Sequence, residues 1–382
     1  MQRTVYNEEH EAFREVAREF VERQVLPRID TMREHREIDR ATWQAAGKQG
    51  LLGVGVPEEF GGGGVDDFRF NSVFNEELSR ISAALGSSFS IHADIVAPYL
   101  IELTNDDQKA RWLPKFCSGE LITAIGMTEP SGGSDLASLR TTAKRDGDSY
   151  IVNGSKTFIT NGYNCDLVVL AVRTGSTEDR ARGVSLLAVE AGAEGFTRGR
   201  KLHKIGQPEA DTAELFFDNV RVPVENLLGE QNRGFPAMMT RLAQERLSCA
   251  LSNVAHAKQV LDDTLVYVKE RKAFGSSVGS FQANKHRLAD LITQIDVARA
   301  FCDACLDAHV RGQLSAVDAA KAKLWSSEAQ NTVIDACVQL YGGYGYMQEY
   351  SVAQAWADAR VSRIWAGSNE IMREIIGRDL GL

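Results

Sequence analysis

Residues 122–136 read ITAIGMTEPSGGSDL, and the chain changes character on either side of them. A β-prone apolar run turns at Thr128-Glu129-Pro130 into a small, glycine-rich loop that ends at Ser134-Asp135. Such a loop lets a ligand approach backbone N–H groups closely. Standing alone, it reads better as a surface loop. Upstream, residues 7–119 have a helical pattern. Phe13, Val16, Ala17 and Phe20 mark one apolar stripe, and Phe70, Val73, Phe74, Glu77 and Leu78 recur at similar spacing. The glycine run 61–64 breaks this zone as a loop. Downstream, to about residue 231, short β-rich runs (151–152, 167–172, 184–189 and 215–217) are separated by Asn153-Gly154, Asn161-Gly162 and Gly192. The Asn153-Gly154 pair reads as a hairpin turn. From residue 234 the helical period returns in long segments near 234–271, 281–311 and 316–341, with Ser315 as an N-cap and Gly342-Gly343 as a stop.

Helices, then a β block, then helices is neither an alternating βα pattern nor a Rossmann arrangement. The expected fold is mainly α with a middle β domain. Residues 1–120 form an N-terminal α-helical domain, 121–232 an antiparallel β domain, and 233–382 a C-terminal α-helical bundle.

A chain of 382 residues is too long for one small core. Its 43% hydrophobic and 25% charged residues are ordinary globular values. The net charge of −9 argues against a nucleic-acid surface, which needs a basic stripe. An anionic ligand needs only a local basic patch and stays open. No apolar run approaches the ~18 residues of a membrane span, and the acidic N-terminal stretch has no signal-like apolar region. A cytoplasmic protein is expected. Six cysteines lack framework spacing, and Cys302 and Cys305 form a lone CxxC inside a helical pattern. A reduced helix-face pair fits that better than zinc or redox chemistry. Gly53-Val54-Gly55 starts a dinucleotide-like motif but lacks the third glycine.

Four further stretches accompany the first loop: KTFITNG at 156–162, ERKAFG at 270–275, QLYGGYG at 339–345 and RIWAGSNEIMREIIGR at 363–378. In this order, the five together resemble the acyl-CoA dehydrogenase family over nearly the whole chain. The resemblance implies an N-terminal α domain, a β-barrel-like middle domain and a C-terminal four-helix bundle, assembled as a homotetramer of dimers. It also implies FAD between the β domain and the bundle. Ile125, Met127, Thr128 and Ser134 would meet the isoalloxazine, as would Phe158, Ile159 and Thr160. Phe158 stands where many relatives have Trp, so it keeps an aromatic face without the indole N–H. Arg271, Gln282, Gln339, Gly342 and Gly343 match residues that reach the FAD of a neighbouring subunit. Ser368, Asn369 and Glu370 would close over the cofactor within one subunit. Ser134, Arg246 and Gly367 would meet the acyl-CoA substrate, and an electron-transfer flavoprotein would take the electrons.

The chemistry implied matches this inventory. A thioester α-proton is weakly acidic, so removing it needs a desolvated carboxylate and hydrogen bonds to the thioester oxygen. FAD supplies the acceptor for the β-hydride. In many relatives the base is the Glu of an E-G-T segment before the last helix; here that segment is Ala366-Gly367-Ser368. Gln244-Glu245-Arg246 resembles instead the long-chain and isovaleryl subgroup, whose base sits on the first long helix of the C-terminal domain. Around Glu245, Leu242 at i−3, Cys249 at i+4 and Met238 at i−7 give a largely apolar face. A carboxylate held there would have a raised pKa. Helix geometry alone allows equally a pairing with Arg241 at i−4 on an exposed face; the empty position 366 favours catalysis. Arg246 reads as a substrate neighbour or as part of a structural salt bridge. Alternatives on the same fold are an O₂-using acyl-CoA oxidase or flavin monooxygenase, and a non-catalytic scaffold that binds acyl-CoA or FAD.

Overall fold

The computed structural model describes residues 3–382. Seven α-helices come first: α1 (Glu8–Phe20), α2 (Ile29–His35), α3 (Arg40–Lys48), α4 (Phe68–Ile81), α5 (Ala83–Ser90), α6 (Ala97–Glu102) and α7 (Asp106–Ser118). Asn7 caps α1 by accepting from the His10 N–H, and Glu8, Glu9 and Glu11 complement its N-terminal dipole. Its inner face carries Ala17 and Phe20, whereas Val16, expected in the same stripe, is exposed. Phe20, Trp43, Phe74 and Phe89 fill the core of this region. Between α5 and α6 the chain widens into a π-helical turn, Ile91–Val96. Such turns cluster at functional sites.

Eight strands follow: β1 (Thr123–Gly126), β2 (Thr142–Asp146), β3 (Ser149–Thr160), β4 (Leu167–Arg173), β5 (Val184–Glu190), β6 (Phe196–Lys201), β7 (Thr212–Pro223) and β8 (Leu227–Leu228). They pair in the order β6-β7-β3-β2-β4-β5-β8, with β1 also on β4. The expectation of a purely antiparallel domain is corrected here, because β1 and β2 both run parallel to β4. Strand β4 is buried along its whole length, which explains its unbroken apolar run. Leu167, Val169 and Ala171 pack with Leu100 and Phe116 of the N-terminal helices. Val168, Leu170 and Val172 pack into the sheet's other face. At ~1.5–3 kcal/mol for each large side chain buried, this strand bonds the helical layer to the sheet.

The Asn153-Gly154 hairpin is a second correction. Strand β3 runs straight through it, and the β2–β3 turn lies at Gly147-Asp148 instead. Gly154 is a bulge residue with φ +148°, where a Cβ would fall 2.6 Å from Thr141 Oγ1.

The last region holds α8 (Gly234–Glu270), a short hairpin of β9 (Lys272–Ala273) and β10 (Ser276–Ser277), then α9 (Gln282–Val310), α10 (Ala316–Tyr341), α11 (Ser351–Ala359) and α12 (Asn369–Asp379). Ser315 caps α10 and Gly342 ends it. Leu251, Leu261, Leu291, Ile295 and Ile334 form the bundle core, with Cys302 and Cys305 as free buried thiols within it. Gly275-Ser276-Ser277-Val278-Gly279 has the spacing of a hydrolase nucleophile elbow. It lies on the β9–β10 hairpin, without the strand-to-helix turn that such an elbow requires.

Candidate active site

Where α4, α5, the π-helical turn, the sheet and α8 meet, they enclose a cavity of about 460 Å³. Strand β1 leads into it. Thr128 O accepts from the Thr157 N–H at 3.0 Å, tying the first loop to β3. Beneath the loop, Lys156 Nζ donates to Glu129 Oε1 at 2.8 Å and to Met127 O at 3.2 Å. Glu129 also accepts from the Arg140 and Thr141 N–H groups. Burial alone would raise the Glu129 pKa, but Lys156 and Thr141 overcome it and hold the carboxyl at about 2. Burial lowers Lys156 to about 8, partly offset by Glu129. The pair is therefore ionic at neutral pH and fixes the loop from below.

Strand β3 shifts register between Lys156 and Ile159, and Phe158 takes φ +58°. For an aromatic residue that backbone is strained. It turns the Phe158 ring outward, 69% exposed, on the cavity wall beside Thr160. Opposite, Ala366 and Gly367 have φ +52° and +82°, and Gly367 O accepts from the buried Lys323 Nζ at 2.7 Å.

Glu245 faces this cavity from α8, 9% exposed. Its Oε1 accepts from the Tyr99 hydroxyl at 3.2 Å. Burial pushes its carboxyl up to about 7, against the Tyr99 hydrogen bond and the charges of Arg246 and Arg241. The alternative pairing with Arg241 is not formed. That guanidinium bonds Glu102 at 2.7 Å and lies over the Tyr99 ring. Arg246 also lines the cavity, 6% exposed, with its Nε lacking any partner. Among the described residues it belongs to no salt bridge, so the structural-bridge reading is set aside. A buried cation without a partner is costly, and it suits an anionic or strongly polar ligand group.

Ile125, Met127, Thr128, Ser134, Phe158, Ile159, Thr160, Glu245, Arg246 and Gly367 thus line one cavity. Arg271, Gln339, Gly342 and Gly343 do not; they line a separate open hollow with Tyr267 and Tyr344. Gln282, exposed at the start of α9, lines neither. Ser368, Asn369 and Glu370 are also absent from the wall. Ser368 caps α12, Glu370 is exposed, and the Asn369 amide is engaged by Lys323, Ser327 and Glu328 of α10. The Asn369 amide thus holds α12 against α10. Sequence reasoning missed Tyr99, the Lys156–Glu129 pair and Trp365, whose Nε1 on the cavity wall makes no hydrogen bond of ordinary geometry and approaches the Cys249 thiol. Only Lys156 carried a usable signal, a lysine within a strand of buried positions.

The cavity suits a planar aromatic cofactor beside an acyl chain. Its wall is mostly apolar, it holds a protruding aromatic ring, and it retains an unpartnered donor on Arg246. Comparisons with known proteins agree. Three family descriptions match: acyl-CoA dehydrogenase N-terminal domain over 7–120, middle domain over 124–220 and C-terminal domain over 232–381. The chain is 46% identical to the mitochondrial long-chain specific acyl-CoA dehydrogenase of Sus scrofa, covering 99% of this chain and 88% of that one. It is 34% identical to the mitochondrial isovaleryl-CoA dehydrogenase of Pongo abelii, covering 97% and 88%. The crystal structure of an acyl-CoA dehydrogenase from Geobacillus kaustophilus superposes with a TM-score of 0.98 at 44% identity, covering all of both chains.

Proposed function

The chain belongs to the acyl-CoA dehydrogenase family, and on that premise we propose that it oxidises the Cα–Cβ bond of an acyl-CoA thioester to the trans-2-enoyl ester, with Glu245 as base. It is a flavin enzyme, and FAD supplies the acceptor for the β-hydride. The observation that carries the reading is Glu245 itself. It is buried on an apolar helix face, aimed into the cavity and held near a pKa of about 7. A base poised there can take a weakly acidic proton at neutral pH. Tyr99 would hold the carboxylate in one orientation. Arg246, Ser134 and Gly367 would contact the substrate around the thioester. Ile125, Met127, Thr128, Phe158, Ile159 and Thr160 would form the flavin wall. Reoxidation by an electron-transfer flavoprotein is part of the reading, supported by the family resemblance.

The open hollow of Arg271, Gln339, Gly342 and Gly343 supports a second element of the proposal. It would receive the FAD of a partner subunit, with Gln282 nearby, in a homotetramer built from dimers. Phe274 and Tyr346 of the same region are almost fully exposed, as surfaces awaiting a partner are. Six free cysteines accord with a reducing compartment such as the cytoplasm, and no helix among the described residues is long and apolar enough to cross a membrane.

Glu245→Gln tests the central claim. It keeps size and hydrogen bonding but cannot accept a proton. Anaerobic flavin bleaching by acyl-CoA esters should slow by ~10²–10⁴-fold, with FAD content unchanged. Adding Ala366→Glu should restore part of the rate, from the other side of the substrate. Near-normal bleaching by a FAD-replete Glu245→Gln enzyme would place the base elsewhere. Rapid recolouring of the reduced wild-type enzyme by air would favour the oxidase, and no bleaching with any ester the scaffold.

A further inference from the structure

The cavity does not end in hydrocarbon. Its mouth is marked by exposed Asp135 and Met239, and its inner end by buried Asn75, Ser90 and Ser248. A continuous hydrogen-bonded chain underlies that floor. Ser252 and Ser79 hydroxyls meet at 2.7 Å, and Ser79 donates to Asn75 Oδ1 at 2.9 Å. Asn75 Nδ2 donates to Ser248 Oγ at 2.9 Å, and Ser248 donates to Asp94 Oδ2 at 2.6 Å. Asn71 Nδ2 completes it at Asp94 Oδ1, 3.1 Å away. Residue 86 must be glycine for this chain to close, since a Cβ there would lie 2.0 Å from Ser79 Oγ. Helices α4, α5 and α8 and the π-helical turn all contribute, so the polarity is built in. One group in the floor is left over. Ser90 is 7% exposed and lines the cavity, and its hydroxyl makes no hydrogen bond of ordinary geometry, only a loose approach to the Asp94 carboxylate that Ser248 and Asn71 already bond. A plain alkyl tail laid on this floor would leave that hydroxyl with no more than this weak contact, at a cost.

We propose that the inner end of the cavity selects acyl chains that carry an uncharged hydroxyl group towards their far end over unsubstituted chains. The inference rests on the acyl-CoA reading above and specifies its substrate class. Ser252 lies seven residues beyond Glu245 on α8, so the hydroxyl would sit ~10 Å from the carbon that loses its proton. Ser90 would donate to it, and its single proton would go to a spare lone pair of Asn75 or of Ser252. A terminal carboxylate suits the floor poorly. Among the described residues no lysine or arginine pairs with Asp94, whose carboxyl burial raises only to about 6, leaving it charged at pH 8.

The test uses the holoenzyme at pH 8 with acyl-CoA esters of one chain length, bearing a methyl, hydroxymethyl or carboxylate terminus. Anaerobic flavin-bleaching kinetics should give kcat/KM about 10-fold or more in favour of the hydroxyl ester over the methyl ester, with the carboxylate lowest. Ser90→Ala should cut the hydroxyl-to-methyl ratio by ~3–10-fold, and Ser252→Val should lower it independently. A ratio at or below one in the wild type, or a ratio that neither folded variant changes, overturns the proposal and leaves the polar chain a packing device. Bleaching by none of the esters overturns both this inference and the acyl-CoA reading; bleaching with the methyl ester preferred overturns this one alone.

Discussion

Tyr99 contributes a hydrogen bond that favours the ionised form of Glu245, while burial opposes it. The base works only when deprotonated, so flavin reduction should climb as pH rises through about 7 and level off above. Tyr99→Phe removes the donor that lowers the Glu245 pKa. The climb should then move to higher pH, by up to about one unit if the bond is worth ~1.4 kcal/mol. Stopped-flow bleaching against pH measures this, and an unmoved midpoint would show that the phenol does not tune the carboxylate. In the sequence, Glu245 stands out through the empty position 366 and the resemblance of Gln244-Glu245-Arg246, while its apolar neighbours Met238, Leu242 and Cys249 are compatible with burial without deciding it. Tyr99 does not stand out, since it arrives from α6, 146 residues away, and no local pattern announces it. The placement of Arg241 was undecidable for the same reason, its partner Glu102 being equally remote.

Helix α8 carries Met239 at the mouth, Glu245 in the middle and Ser252 at the floor, ~20 Å of cavity on thirteen residues of one rigid element. The ends of α10 follow from the Ser315 cap and the Gly342 stop, and those of α8 and α9, which have no side-chain N-cap, from where the helical period begins and stops. The sheet was less open to reading. Asn-Gly is a strong hairpin signal, yet at 153–154 it forms a bulge because β3 finds partners on both sides, β2 and β7, and continues. The parallel placement of β1 on β4 is a choice between distant segments, which alternation within a strand does not encode. Gly154→Ala tests the bulge. The backbone at φ +148° is unfavourable for alanine, and the new methyl would press on Thr141. The variant should lose ~1–3 kcal/mol of stability in a denaturant titration, whereas a hairpin tip open to solvent would tolerate it. Loss should also appear as a loosened loop above Glu129, which Thr141 anchors.

At the scale of the whole molecule, the expected cofactor contacts divide between two places, the central cavity and the hollow of Arg271 and Gly342. If the second place serves a partner's FAD, cofactor retention depends on assembly. Dilution below the dissociation range should release FAD in step with loss of the dimer, followed by sedimentation with absorbance at flavin wavelengths. Arg271→Ala should lower FAD content while leaving helical content unchanged. A monomer that keeps one FAD per chain would remove the partner from the site. The order helices, sheet, helices was evident from composition along the chain; this division was not, because two surfaces of one chain can meet only through symmetry. The indole on the cavity wall gives the molecule an optical property as well. Of the five tryptophans, Trp43 and Trp112 are buried in the N-terminal helices, Trp325 and Trp356 face solvent, and Trp365 alone borders the cavity. Its near-ultraviolet emission overlaps flavin absorption and should pass by energy transfer to a cofactor lodged beside it. The protein therefore carries its own gauge of cofactor loading in the quenching of that emission, readable by fluorescence lifetime without a label.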